Sequence, residues 1–154
     1  MTPLLVSAVF VAVVAWVGIT VYRRQERSAP YLRALAEGEM TVDEVPPKMQ
    51  KSLADPKHRA ALATTLRKIA RDAARPPRRR MIPNPPVTWY FEPNVRHQIS
   101  EVADLLERPE TPPEAVALAE LLLGDGSSPF YGEQEAPLVE ELRRLRTACQ
   151  STAA

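Results

Sequence analysis

Cysteine occurs once, at Cys149, in a chain of 154 residues. A single thiol excludes an intramolecular disulfide framework and any zinc site built on paired cysteines. Histidine occurs only as His58 and His97, and neither has metal-ligand neighbours in sequence. Five scattered glycines cannot form a phosphate-cradling loop, and no serine sits in a nucleophile-elbow context. The net charge of +1 gives the whole chain no general preference for polyanions. No metal and no cofactor is expected, and the chain is expected not to be an enzyme. Adjacent carboxylates do occur, as Asp43-Glu44, Glu133 with Glu135, and Glu140-Glu141. They fall in caps, loops and solvated helix faces, where a general acid is hard to tune.

Charge is missing altogether from Met1 to Tyr22. Leu4 to Tyr22 is an unbroken apolar run that includes Leu4, Leu5, Val9, Phe10, Trp16, Gly18 and Tyr22, and at 1.5 Å per residue it is long enough to cross roughly 30 Å of hydrocarbon. Trp16 and Tyr22 suit the headgroup level, and Arg23, Arg24 and Arg27 follow directly. A cleaved signal peptide would carry its basic residues before the run and a small-residue cleavage site after it. The basic residues here come after, so the run reads as a retained single-pass signal-anchor in a cell membrane. The positive-inside rule then places the N-terminus outside and the body in the cytoplasm. Ala8, Ala12, Ala15 and Gly18 share one face of this helix, a small-residue stripe through which the chain could form homo-oligomers.

The remaining body holds 15 of the 16 prolines, so short helices with proline punctuation are expected rather than long strands. Its arginine and alanine richness fits a bacterial source of high G+C content. The fold class expected is all-α, a small helical bundle behind a single transmembrane helix. Five segments follow: residues 1–27 as anchor with basic flank, 28–74 as a membrane-proximal basic helical segment, 75–93 as an Arg/Pro-rich linker, 94–149 as an acidic three-helix bundle, and 150–154 as a disordered tail.

Local signals set the helices. Pro30 opens one that Gly38 stops, and Thr41-Val42-Asp43-Glu44 reads as a capping box. Pro46-Pro47 cuts the capped helix short, and Asp55-Pro56 starts a helix that runs to Ala74. Leu62, Leu66, Ile69 and Ala73 are expected on its buried face, with Lys57, Arg67, Lys68, Arg71 and Arg75 as a basic face opposite. Farther on, Val95, Ile99, Val102 and Leu106 line one helix, and Thr111-Pro112-Pro113-Glu114 reads as a second capping box. It opens a core helix from Ala115 to Leu123, and Pro137 starts a last helix on which Leu138, Leu142, Leu145 and Cys149 align.

The near-neutral total is a cancellation. Arg23 to Arg80 carries 15 Lys and Arg against 7 Asp and Glu, whereas Met81 onward carries 5 against 12. The acidic half either stands away from an anionic leaflet or folds back on the basic helix, and both arrangements remain open from sequence. Function is expected to be non-catalytic: a tethering or accessory subunit that docks a protein partner through Trp89, Tyr90, Phe91, Glu101 and Asp104. Two rivals stand beside it. One is a membrane-associated binder of nucleic acid or anionic lipid acting through the basic segment, and the other is a small oligomeric lysis or pore-forming protein.

Overall fold

The order in which the chain alternates proline stops with apolar helical stripes sets the architecture seen in a computed structural model, which describes residues 28–73, 91–124 and 135–151. The described residues are all-α. Helix α1 occupies residues 28–36, followed by a 3-10 turn at Val42–Glu44, α2 at Pro47–Ala54, α3 at Pro56–Asp72, α4 at Pro93–Leu106, α5 at Pro113–Gly124 and α6 at Glu135–Gln150. Among the described residues no helix is long and apolar enough to cross a membrane. The expected span at Leu4–Tyr22 with Arg23, Arg24 and Arg27 lies outside the described residues, as do Ala8, Ala12, Ala15 and Gly18, most of the linker, Glu133 and residues 152–154.

The helix ends follow the local chemistry. Gly38 has φ +74°, a left-handed conformation that costs glycine least, and the N–H groups of Gly38 and Glu39 donate to the carbonyls of Leu35 (3.2 Å) and Ala34 (2.9 Å). This pair of bonds closes α1. Glu44 Oε2 accepts from the Thr41 N–H at 2.6 Å and from its hydroxyl at 3.0 Å, which holds the Glu44 carboxyl below the usual carboxylate range. Asp55 caps α3 by accepting from the Lys57 N–H at 2.9 Å, with Pro56 as the first helical residue.

One expected cap is different. The Thr111 hydroxyl is buried and donates at 2.7 Å to the Leu105 carbonyl, so it closes the C-terminus of α4 instead of opening α5. The first amides of α5, those of Ala115 and Val116, are taken by the Pro112 carbonyl. Helix α6 also starts earlier than its proline: Pro137 lies in the first turn, where a missing N–H leaves no intrahelical bond unmade.

The core has two parts that share α5. Ala115, Leu118, Ala119 and Leu122 face the larger cluster with Ala63, Leu66 and Ala70 of α3, Val95, Ile99, Val102 and Leu106 of α4, and Leu138, Leu142, Leu145 and Cys149 of α6. Val116 and Ala117 face a smaller cluster with Leu32 and Leu35 of α1 and Leu53 of α2. Leu62 packs against both. With buried residues around most of its circumference, α5 is the central helix.

The expected face of α3 is rotated. Its buried stripe is Arg59, Ala63, Leu66 and Ala70, leaving Leu62 and Ile69 half-buried at the edges. The α3–α4 interface is the most extensive between helices, and Ala63, Leu66 and Ala70 share one buried cluster with Val95, Ile99, Val102 and Ala103 of α4, so the face of α3 that joins this cluster is the buried one.

Candidate functional site

The charged faces of the two halves meet. Arg67, half-buried at the edge of α3, reaches across to α4, where Nη2 donates to Asp104 Oδ1 at 2.6 Å and Glu107 Oε2 at 2.7 Å. The two carboxylates push the Arg67 guanidinium up, and the hydrogen bond from Arg67 holds the Glu107 carboxyl below its ordinary range. Of the two arrangements open from sequence, the described structure has the acidic helix folded against the basic one. Arg67 therefore does not belong to an outward basic face. Lys57, Lys68 and Arg71 do: all three are exposed, while Arg75 lies outside the described residues.

The expected docking residues are dispersed in a similar way. Phe91 is buried in the core at 4% exposure. Its N–H donates to the Ala73 carbonyl at 3.2 Å and its own carbonyl accepts from Arg96 Nε at 3.2 Å. Phe91 is thus a packing residue that pins the start of α4 to the end of α3, and it offers no side chain to a partner. Trp89 and Tyr90 lie outside the described residues. Glu101 pairs with Arg146 of α6 at 2.9 Å, and Asp104 with Arg67. The partner of Glu101 comes from the adjacent helix, a relation invisible along one helix face.

Between α4 and α6 these pairs frame an open groove of about 200 Å³. Val102, Val139 and Leu142 form its apolar floor, and Gln98, Glu101, Arg143 and Arg146 its rim. Arg143 pairs with Glu140 at 2.6 Å. The rim charges Glu101, Arg143 and Arg146 are consequently neutralised in pairs around an apolar strip, which suits contact with apolar side chains better than capture of an ion. Sequence periodicity placed Val102 and Leu142 inside, but not the gap their helices leave.

Other chemically capable groups have structural surroundings. His58 Nε2 lies 2.5 Å from Glu120 Oε1 and links α3 to α5. Arg59 is buried at 8% exposure, with Nη1 at 3.4 Å from the Pro109 carbonyl. Burial pushes the Cys149 thiol up to about 11, with the Arg108 charge acting weakly in the opposite sense. Among the described residues no three His, Cys, Asp or Glu side chains gather as a metal site. Comparison with known protein families, curated proteins and solved structures finds no match, so the functional reading rests on this geometry.

Proposed function

We propose that the protein is a single-pass, membrane-anchored tethering or accessory subunit, non-catalytic, whose helical body docks a protein partner in the cytoplasm. The supporting observation is the packing of α1. Leu32 and Leu35 are buried among Leu53, Val116 and Ala117, so the segment that follows the apolar run and its arginines is built into the body. A body coupled in this way is held at a set distance from the bilayer, which is what a tether requires. The α4–α6 groove is the docking site in this reading, its apolar floor receiving side chains of an amphipathic partner segment.

The test uses the full chain in its native membrane. A photo-crosslinking residue at the exposed Arg143 position should give a discrete protein adduct that disappears with Val139→Glu, a half-buried floor position, while alkaline extraction leaves the chain in the membrane. An adduct indifferent to Val139→Glu, or none, overturns the groove as docking site. Release by alkaline extraction overturns the anchor.

A further inference from the structure

From Val45 to Arg71 the chain carries seven Lys and Arg residues and one acid, Asp55. Two of the seven turn inward: Arg59 toward the Pro109 carbonyl, and Arg67 toward Asp104 and Glu107. The other five, Lys48, Lys51, Lys57, Lys68 and Arg71, are exposed, and none is in an ion pair with a described carboxylate. On α3 the separation is rotational. Arg59, Ala63, Leu66 and Ala70 form the buried stripe at four- and three-residue steps, whereas Lys57, Thr64, Lys68 and Arg71 recur at seven-, four- and three-residue steps on the opposite side. From Lys57 to Arg71 this outer stripe runs about 21 Å along the helix axis. The Thr64 and Thr65 hydroxyls turn back to the Ala60 and Ala61 carbonyls at 2.8 and 2.9 Å, so between the cations the surface is short and largely methyl. Lys51 stands on the side of α2 away from buried Leu53, four residues before Asp55 caps α3.

We infer that this outer face of α3, continued by the lysines of α2, lies on the anionic leaflet that the N-terminal apolar run enters. The inference deepens the anchored reading and rests on it. Charge complementarity is the first argument. Attraction to a negatively charged leaflet acts within about a Debye length and grows with each added cation. Position is the second: six residue steps separate Tyr22 from Ser28 in α1, at most about 20 Å when fully extended, and α1 is packed against α2 and α5. The third argument separates lipid from nucleic acid. The outer stripe of α3 has no aromatic side chain to stack on a base and no Asn or Gln to read one, and its small residues make a smooth surface for headgroups.

The test places the full chain in vesicles of phosphatidylcholine alone or with about 30% phosphatidylglycerol. In a Cys149→Ser background, a fluorophore is attached at Thr64→Cys on the stripe or at Thr147→Cys on exposed α6, and quenching by a headgroup-labelled lipid is read. Quenching at position 64 but not 147, only with phosphatidylglycerol and reversed by salt near 0.5 M, is the expected result. Lys57→Gln, Lys68→Gln and Arg71→Gln together should lower the membrane-apposed population about a hundredfold, at roughly fivefold per cation. Equal quenching in both lipids, or quenching that survives the triple substitution, overturns the inference. So does salt-sensitive binding of duplex DNA, lost in the same variant, without lipid quenching. Alkaline extraction distinguishes the two readings. A chain that washes off the vesicles yet still shows the triple-sensitive, phosphatidylglycerol-dependent quenching keeps the stripe and removes the anchor; a chain that stays but shows no quenching keeps the anchor and removes the stripe.

Discussion

Leu35 is fully buried in the smaller cluster and Leu32 is 7% exposed, so Leu35→Ala is expected to free α1 from the body without unfolding the rest. Burying each leucine contributes about 1.5–3 kcal/mol. The pair thus supplies about 3–6 kcal/mol of docking free energy before the ordering entropy of α1 is subtracted. Replacing Leu35 by alanine costs about 2–5 kcal/mol, most of that margin. Helix α1 should then open at least about 30-fold more often, since each ~1.4 kcal/mol is a factor of ten. Hydrogen exchange of the full chain in micelles reads this directly. Amides of residues 32–40 should exchange faster by that factor, while those of α4 and α6, which face the larger cluster, keep their protection. Leu145→Ala, at a fully buried position of the larger cluster, is the contrast and should accelerate every helix. Unchanged exchange at 32–40 would show that Leu35 does not hold α1 on the body and would remove the rigid coupling on which the tethering proposal depends; uniform acceleration across the body would refute the separate docking of α1, since it would then unfold with the larger cluster.

Three further outcomes follow from the packing. Thr111→Val should lower the unfolding free energy read from urea titration by about 0.5–1.5 kcal/mol, because it deletes the buried hydroxyl's bond to the Leu105 carbonyl, which keeps its backbone donor, the Arg108 N–H at 3.2 Å; an unchanged value would show that the hydroxyl bond makes no net contribution. The Cys149 thiol should resist an aromatic disulfide reagent near pH 8 in the folded chain and react on unfolding. Because its folded value, about 11, lies above the ordinary thiol value of 9.0, its stabilising contribution is complete below pH 9 and is lost as pH rises toward 11; Cys149→Ala should flatten that alkaline slope. Arg67→Met should destabilise at neutral pH, less so in molar salt. Since Glu107 titrates below its ordinary range in the folded chain, the contribution is present above the unfolded carboxylate value and disappears as pH falls through the folded one; a destabilisation with no acid dependence at all would assign it to lost packing by the arginine stem.

Local chemistry carried much of the architecture. Proline positions, Gly38 and Asp55 set helix ends because each acts within a turn of the chain. The stripes Val95-Ile99-Val102-Leu106 and Leu138-Leu142-Leu145-Cys149 are buried as their period requires, because a long apolar stripe on a polar helix has one way to leave water. Tertiary contact decided the rest. The rotation of α3 depended on which of its residues join the cluster shared with α4, and the Thr111 hydroxyl chose the Leu105 carbonyl six residues back over the helix it precedes. Arg67, Glu101 and Asp104 looked like members of open charged faces because sequence shows only neighbours three or four residues away; their partners lie 37, 40 and 45 positions away and exist only when the helices pack. The separation into an inward arginine pair and an outward row of lysines is a property of that packing: Arg59 and Arg67 lie toward the faces α3 turns to the body, and Lys57, Lys68 and Arg71 are left on the side that no described helix covers.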